Sequence, residues 1–391
     1  MMVTMPRRSP RVYDAIVVGV GGMGSAACYH LARCGLRTLG LERFDIPHAM
    51  GSSHGITRII RLAYYEHPSY VPLLLRAFDL WDELERKSGR HLLEVTGTID
   101  ASGPDEIVFT GALASCEQVG LAHEVLTSAE LTSRYPGYQL PSEHLALFQP
   151  RGGFLLPERC ISAHVEGALA AGAEIRARER VIDWEPVGNG VRVSTDRGVY
   201  EAGKLVLAAG AWMASLVPAL ADLAEPERQV LGWFAPLAPA LFAPERFPVF
   251  NLMVPEGRYY GFPQHDVPGF KIGLYHHLQE EVDPDDFQRE ASMADEAPLR
   301  DATARYFPAA NGPTMALRTC MFTNTPDEHF ILDVLPEHPQ VVVASPCSGH
   351  GFKFASVIGE ILADLAQSGE TRHDIELLRL RRFAEKSISA S

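Results

Sequence analysis

Along this chain the spacing of hydrophobic positions changes period several times, and each change marks an element. Ala15-Ile16-Val17-Val18 is a short, continuously apolar run, the pattern of a strand buried on both faces, and it leads straight into Gly19-Val20-Gly21-Gly22-Met23-Gly24. Ala26, Ala27, His30 and Leu31 then recur at helical spacing up to Gly35, a suitable helix terminator, and Thr38-Leu39-Gly40-Leu41-Glu42 reads as a second strand. A strand–helix–strand unit is therefore predicted. Val71, Leu74, Leu75, Phe78, Leu80 and Trp81 predict an amphipathic helix over 70–87, followed by a strand near 93–100 and by short helices and turns to about Pro150. Val181–Glu185 and Val191–Thr195 flank Gly188-Asn189-Gly190 and predict a hairpin, and Lys204–Ala209 a further buried strand. From about Gln229 to Phe322, short strands separated by Pro and Gly turns, with little helix, predict an antiparallel sheet. Phe354, Val357, Ile358, Ile361, Leu362 and Leu365 predict a core-facing helix stopped at Gly369. Nucleotide-fold pieces lie at the start, middle and end, so two domains are expected to interleave.

Composition narrows the class. With 391 residues there is room for two or three domains, and 46% hydrophobic with 21% charged residues excludes disorder, collagen and coiled coil. A net charge of -14 would repel phosphate backbones and anionic membranes, so neither nucleic acid nor membrane is an expected partner. The 6 cysteines are scattered without a CxxC pair, which excludes a zinc ribbon or a secreted disulfide scaffold and suits a reducing cytoplasm. Arg7-Arg8 runs into Tyr13-Asp14 without an apolar region, so no export signal is expected. Val230–Pro244 is interrupted by Gly232, Pro236, Pro239 and Pro244 and cannot span a bilayer.

Five segments carry candidate chemistry. Gly19, Gly21 and Gly24, with Glu42 closing the next strand, match the dinucleotide fingerprint in its strand–turn–helix context. The glycines let backbone amides approach a pyrophosphate, and Glu42 can accept from a ribose hydroxyl. The motif does not choose NAD over FAD. In Gly51-Ser52-Ser53-His54-Gly55-Ile56-Thr57-Arg58-Ile59-Ile60-Arg61, β-branched residues favour extended backbone, whose period of two sends Arg58 and Arg61 to opposite faces; the alternative is two solvated arginines on an edge strand. Ser348-Gly349-His350-Gly351-Phe352-Lys353 precedes the last helix, where free amides would stabilise an anion such as the N1–C2=O region of a reduced flavin, or merely cap the helix. Lys271 stands in the apolar phase of a strand, either functional or snorkelling at an edge, and Cys320 on its own reads as an inert buried thiol. No HExxH or Walker motif is present, and His276-His277 lacks partners at metal-ligand spacing, so no metal is expected.

Taken in order, His54-Gly55-x-Thr57-Arg58-x-x-Arg61, Tyr259-Tyr260-Gly261-Phe262-Pro263, Asp327-Glu328-His329-Phe330 and Gly349-His350-Gly351-Phe352-Lys353 resemble the monomeric sarcosine oxidase and N-methyltryptophan oxidase family of FAD-dependent amine oxidases, from Tyr13 to about His373. The resemblance implies an α/β fold. A Rossmann-like FAD-binding domain (12–85, 149–220 and 325–385) is interleaved with a substrate domain (86–148 and 221–324) containing a mainly antiparallel sheet. It implies FAD attached through an 8α-S-cysteinyl bond at Cys320, with Gly19, Gly21, Gly24, Glu42, Thr57, Val181, Gly210, Gly349 and Gly351 in cofactor binding. Arg61 and Lys353 match the pair that binds the substrate carboxylate, and Tyr260 a substrate-side aromatic. Arg58 and Lys271 match cations on the opposite flavin face, where the lysine assists electron transfer to oxygen, and His54 a histidine near the flavin.

The implied activity is oxidation of a secondary amino acid by O2, releasing H2O2, by a monomer in the cytoplasm. Two departures bear on the substrate. Phe322 stands where sarcosine oxidases carry a tyrosine, and Leu274-Tyr275-His276-His277 is one residue longer than their pattern, leaving open which histidine, if either, faces the substrate. N-methyltryptophan, pipecolate or proline are the alternatives to sarcosine. Outside this class stand an NAD-dependent dehydrogenase and a non-catalytic nucleotide-binding protein.

Overall fold

The computed structural model describes residues 11–345 and 347–383. The Arg7-Arg8 segment and residues 384 and 385 of the expected third FAD segment lie outside them.

Two eight-stranded sheets and a small three-stranded one organise the chain. In the first, Arg11–Val18 pairs in parallel with Thr38–Leu41 on one side and with Val199–Leu207 on the other, and Glu174–Arg176 extends the edge beyond Thr38–Leu41. His338–Ser345 also pairs in parallel with Val199–Leu207, so the last segment returns to the first sheet. The hairpin Val181–Val187/Gly190–Thr195 forms where the sequence places it. The continuous apolar run at 15–18 is explained by burial on both faces, since Ala15, Ile16 and Val17 are wholly buried. Helices Gly22–Arg33, Pro157–Ala170 and Ala355–Ser368 contribute to the core beside this sheet, and Gly369 ends the last one in a left-handed conformation.

The second sheet takes its strands from 98–149 and 225–324 and is antiparallel except where Thr98–Ser102 runs parallel to Val249–Val254. Its core is aromatic, with Tyr138 stacked on Phe247 and Phe250 on Phe307. The chain thus crosses between the sheets several times, as the interleaved pattern requires.

Two expectations are corrected. The region 229–322 is not poor in helix throughout: Met293–Tyr306 is a helix, opened by a capping box between Ser292 and Asp295. Its buried face is Asp295, Leu299, Ala302, Thr303 and Tyr306, three of them small or polar, and Pro298 lies inside it, so the apolar period is faint. The single strand near 93–100 is two, Leu93–Val95 and Thr98–Ser102, in different sheets, separated at Gly97 with φ +75°. Among the described residues no helix is long and apolar enough to cross a membrane.

Candidate active site

The first strand ends at Gly19, whose amide donates to the Leu41 carbonyl and whose φ of +86° turns the chain into the helix. A Cβ on Gly24 would stand 1.7 Å from the Gly19 carbonyl oxygen, so only glycine lets the helix begin this close to the strand. Glu42 is buried and accepts hydrogen bonds from the amides of Val20 (2.8 Å) and Phe44 (3.0 Å), which fixes its carboxylate beside the turn. A cavity of about 330 Å³ opens here, walled by Gly19, Gly21, Glu42, Val181, Gly210 and Trp212 among others. Gly24 lies behind this wall. A Cβ at Gly21 would meet nothing within 4 Å, and Ser52 Oγ is buried without a partner. Open backbone at a helix N-terminus, an acid at the end of the second strand and an unanswered hydroxyl fit a dinucleotide such as FAD.

Met23, Ser52, Ser53 and Cys347 also line a second cavity of about 90 Å³, so the two spaces adjoin. Its wall brings together Arg58, Arg61, Tyr260, Cys320, Gly349, Gly351 and Lys353, residues drawn from four distant segments. Arg58 and Arg61 both reach this space from the short strand Arg58–Ile60 and its end. Arg58 Nη2 donates to the Ser52 carbonyl at 2.8 Å and lies 3.5 Å from Cys320 Sγ. Arg61 is fully buried: Nη1 donates to the Ala63 carbonyl and Nη2 lies 2.6 Å from both oxygens of Glu66.

Lys353 Nζ, also buried, makes one hydrogen bond among the described residues, to the His350 carbonyl at 2.6 Å. Burial and the neighbouring Arg61 bring its ammonium down to about 7, opposed by Glu66 and Asp100. Burial would raise Glu66, but Arg61 outweighs it and holds the carboxyl at about 2. Asp100, buried with no cation in hydrogen-bond contact, is pushed up to about 6. Two cations in the cavity wall are thus coupled to two buried carboxyl groups behind it.

Lys271, Thr57 and His54 line neither cavity; they form a layer behind Arg58. Lys271 Nζ donates to the carbonyls of Gly55 (2.7 Å) and Thr57 (2.9 Å) and to Thr57 Oγ1 (2.9 Å), with the Phe262 ring 4.3 Å away. Burial, then Arg58, lowers its ammonium well below the ordinary lysine value. Burial first, and the cations of Arg58 and Lys271 second, bring His54 to about 3, so its ring is neutral and its Nε2 has no partner.

Residues 14–365 match the profile of the FAD dependent oxidoreductase family. The chain belongs to that family. It is 42% identical over 382 residues to the monomeric sarcosine oxidase of Streptomyces avermitilis, an alignment covering 95% of this chain and 98% of that one. It is 36% identical over 375 residues to the N-methyl-L-tryptophan oxidase of Salmonella typhimurium, covering 95% and 100%. Among solved structures it is similar to NikD, an unusual amino acid oxidase essential for nikkomycin biosynthesis, in its open form: TM-score 0.81, 28% identity, 94% of this chain and 97% of that one covered.

Within this FAD-dependent oxidoreductase the open question of the histidine pair has an answer: neither lines the cavity. His277 is buried against Asp295 (3.2 Å), and His276 bridges Glu227 and Glu328, while Tyr275 and Phe322 take the wall. Sequence reasoning missed Glu66, Asp100, Asn251 and Tyr275. The signal for Asn251 was there, a polar residue inside the apolar run Val249-Phe250-Asn251-Leu252-Met253-Val254. That for Glu66 was a carboxylate directly following the apolar and aromatic run Leu62-Ala63-Tyr64-Tyr65.

Proposed function

We propose that this chain is an FAD-dependent oxidase of secondary amino acids, converting the amine carbon–nitrogen bond to an imine while O2 is reduced to H2O2. The observation that carries the reading is the buried pair Arg61 and Lys353 in the wall of a small cavity that adjoins the dinucleotide turn. Residues 12–85, 149–220 and 325–385 would hold the cofactor, and 86–148 with 221–324 would form the substrate side. Family membership favours FAD over NAD.

The chemistry that FAD supplies when bound is acceptance of two electrons from the substrate and their delivery to O2. The protein's part is positioning and charge. Arg61 and Lys353 seat the carboxylate, with Lys353 offering the donor capacity that Arg61 has already given to Glu66. Cations around the bound amine favour its neutral form, the form able to give up a hydride equivalent. Tyr260, Tyr275 and Phe322 wall the space and exclude water. Lys271 and Arg58 place positive charge where oxygen takes up electrons. The imine is hydrolysed by water; sarcosine, O2 and H2O give glycine, formaldehyde and H2O2.

Cys320 is the attachment point in this reading: its thiol is free, buried and in the cavity wall next to Arg58. All six cysteines are free, which suits a reducing cytoplasm. The purified protein should be yellow, release peroxide with sarcosine or with a proline- or pipecolate-type amino acid, and keep its flavin through acid precipitation. Full release of the flavin would remove Cys320 from this role, and no peroxide from any secondary amino acid would overturn the activity.

A further inference from the structure

Asn251 sits in the strand Val249–Val254 directly opposite Asp100 in Thr98–Ser102, the one parallel pairing in the second sheet, and its side chain lines the small cavity. Its Nδ2 donates to Asp100 Oδ1 at 2.7 Å. Asp100 is wholly buried, and its second oxygen has no partner. An ionised carboxylate accepts only, so Asp100 forces the amide of Asn251 to present nitrogen to it. The carbonyl Oδ1 of Asn251 is left without a protein partner among the described residues, in a side chain that lines the cavity. Asp100 also acts electrostatically on both Arg61 and Lys353, which places the pair near the carboxylate seat.

We infer that Asn251 is a specificity-determining residue whose Oδ1 accepts a hydrogen bond from the N–H of an α-amino-acid substrate, and that Asp100 is the positioning residue that fixes the amide this way round. The inference rests on the oxidase reading above. In an α-amino acid the amine is attached to the carbon bearing the carboxylate, so a carboxylate held by Arg61 and Lys353 brings its N–H within one residue's reach. A buried acceptor left unpaired costs more than a paired one contributes, so the site discriminates against ligands of the same shape that lack the donor.

The test needs no turnover. Pyrrole-2-carboxylate and furan-2-carboxylate have nearly the same shape and the same carboxylate, and differ in one ring N–H beside it. Calorimetric titration of the purified flavoprotein should show the pyrrole binding roughly five- to tenfold more tightly than the furan. Asn251→Leu should bring that ratio to within about twofold. If Asn251→Leu alone does not fold, Asn251→Leu with Asp100→Leu removes both polar partners together, a change that cores tolerate better, and should give the same collapse. Asp100→Asn, which lets the amide pair in either orientation, should lower the ratio partway. A merely structural role would change both affinities alike and leave the ratio unmoved. A wild-type ratio near one, or a ratio that survives loss of Asn251, overturns the inference while the carboxylate site stands. If neither ring binds, the oxidase reading itself fails, and the inference with it.

Discussion

Lys271 and Lys353 are both buried beside the same pair of cavities, and burial lowers both ammonium groups, yet their surroundings differ in kind. Lys271 is held by three neutral oxygens, all from the Gly55–Thr57 turn, and by the face of Phe262. Its donor capacity is spent within the protein. Lys353 has one hydrogen bond, stands beside a second cation, and is balanced electrostatically by Glu66 and Asp100. The first arrangement fixes the amino group in place; the second leaves donors free for an anion that arrives and departs. Two lysines that look alike in composition are thus suited to different tasks, a group locked behind the Arg58 side of the site and a ligand contact.

Substituting each by methionine gives the largest expected effects. Lys353→Met should lower kcat/KM for a carboxylate-bearing substrate by roughly a hundredfold, with much of the loss in KM and flavin content unchanged. Lys271→Met should leave anaerobic reduction by the same substrate within a few-fold of wild type but slow reoxidation by O2 roughly a hundredfold. Anaerobic stopped-flow mixing separates the two half-reactions. Equal losses in both halves for either variant would erase the proposed division of labour.

The charge cluster around Lys353 makes a second, smaller effect visible in pH. Furan-2-carboxylate does not titrate above pH 5, so its affinity reports the protein. Lys353 comes down to about 7 and Asp100 up to about 6, whereas Glu66 at about 2 and His350 at about 3 stay constant over this range. As pH rises, Asp100 gains negative charge and Lys353 then loses positive charge, and both changes weaken carboxylate binding. Affinity should fall about fivefold between pH 7 and 8. Lys353→Arg should flatten the upper step and Asp100→Asn the lower. A flat wild-type profile would mean that the lysine stays charged throughout and that the cluster does not tune it.

The contrast also explains what was legible beforehand. The dinucleotide end is made by backbone: Gly19 and Gly24 are required by a turn and a close approach, and such demands show up as residue types at fixed spacing. The interleaving of two sheets followed from nucleotide-fold pieces placed at both ends and the middle. The substrate end is made by side chains from strands that meet only in three dimensions. Asp100 and Asn251 are register partners far apart in the chain, and neither has local spacing that pairs it with the other. Arg61 and Lys353 were paired as a carboxylate seat through resemblance rather than periodicity, and the ion pair with Glu66 that conditions Arg61 was not foreseen. The helix Met293–Tyr306 escaped because its buried face is only half apolar.

A third cation sharpens the comparison with the smallest effect. His276, about a third exposed, touches two carboxylates directly, Glu227 at 2.7 Å and Glu328 at 3.2 Å, and those hydrogen bonds raise its imidazolium to about 9 despite some burial. Direct carboxylate contact thus reverses the direction that burial imposes on Lys271 and Lys353. Because the folded value lies above the ordinary 6.5, the stabilisation from this histidine is complete below about pH 6.5 and is lost as pH rises through about 9. With partial exposure screening the pair, it is worth about 1 to 2 kcal/mol. His276→Gln should therefore lower the unfolding temperature by a few degrees at pH 6, with the gap closing by pH 9.5, while binding of furan-2-carboxylate stays within about twofold because His276 does not line the cavity. A gap that persists unchanged at pH 9.5 would show that the histidine acts through packing, against the φ of +54° that its backbone must hold, rather than through its charge.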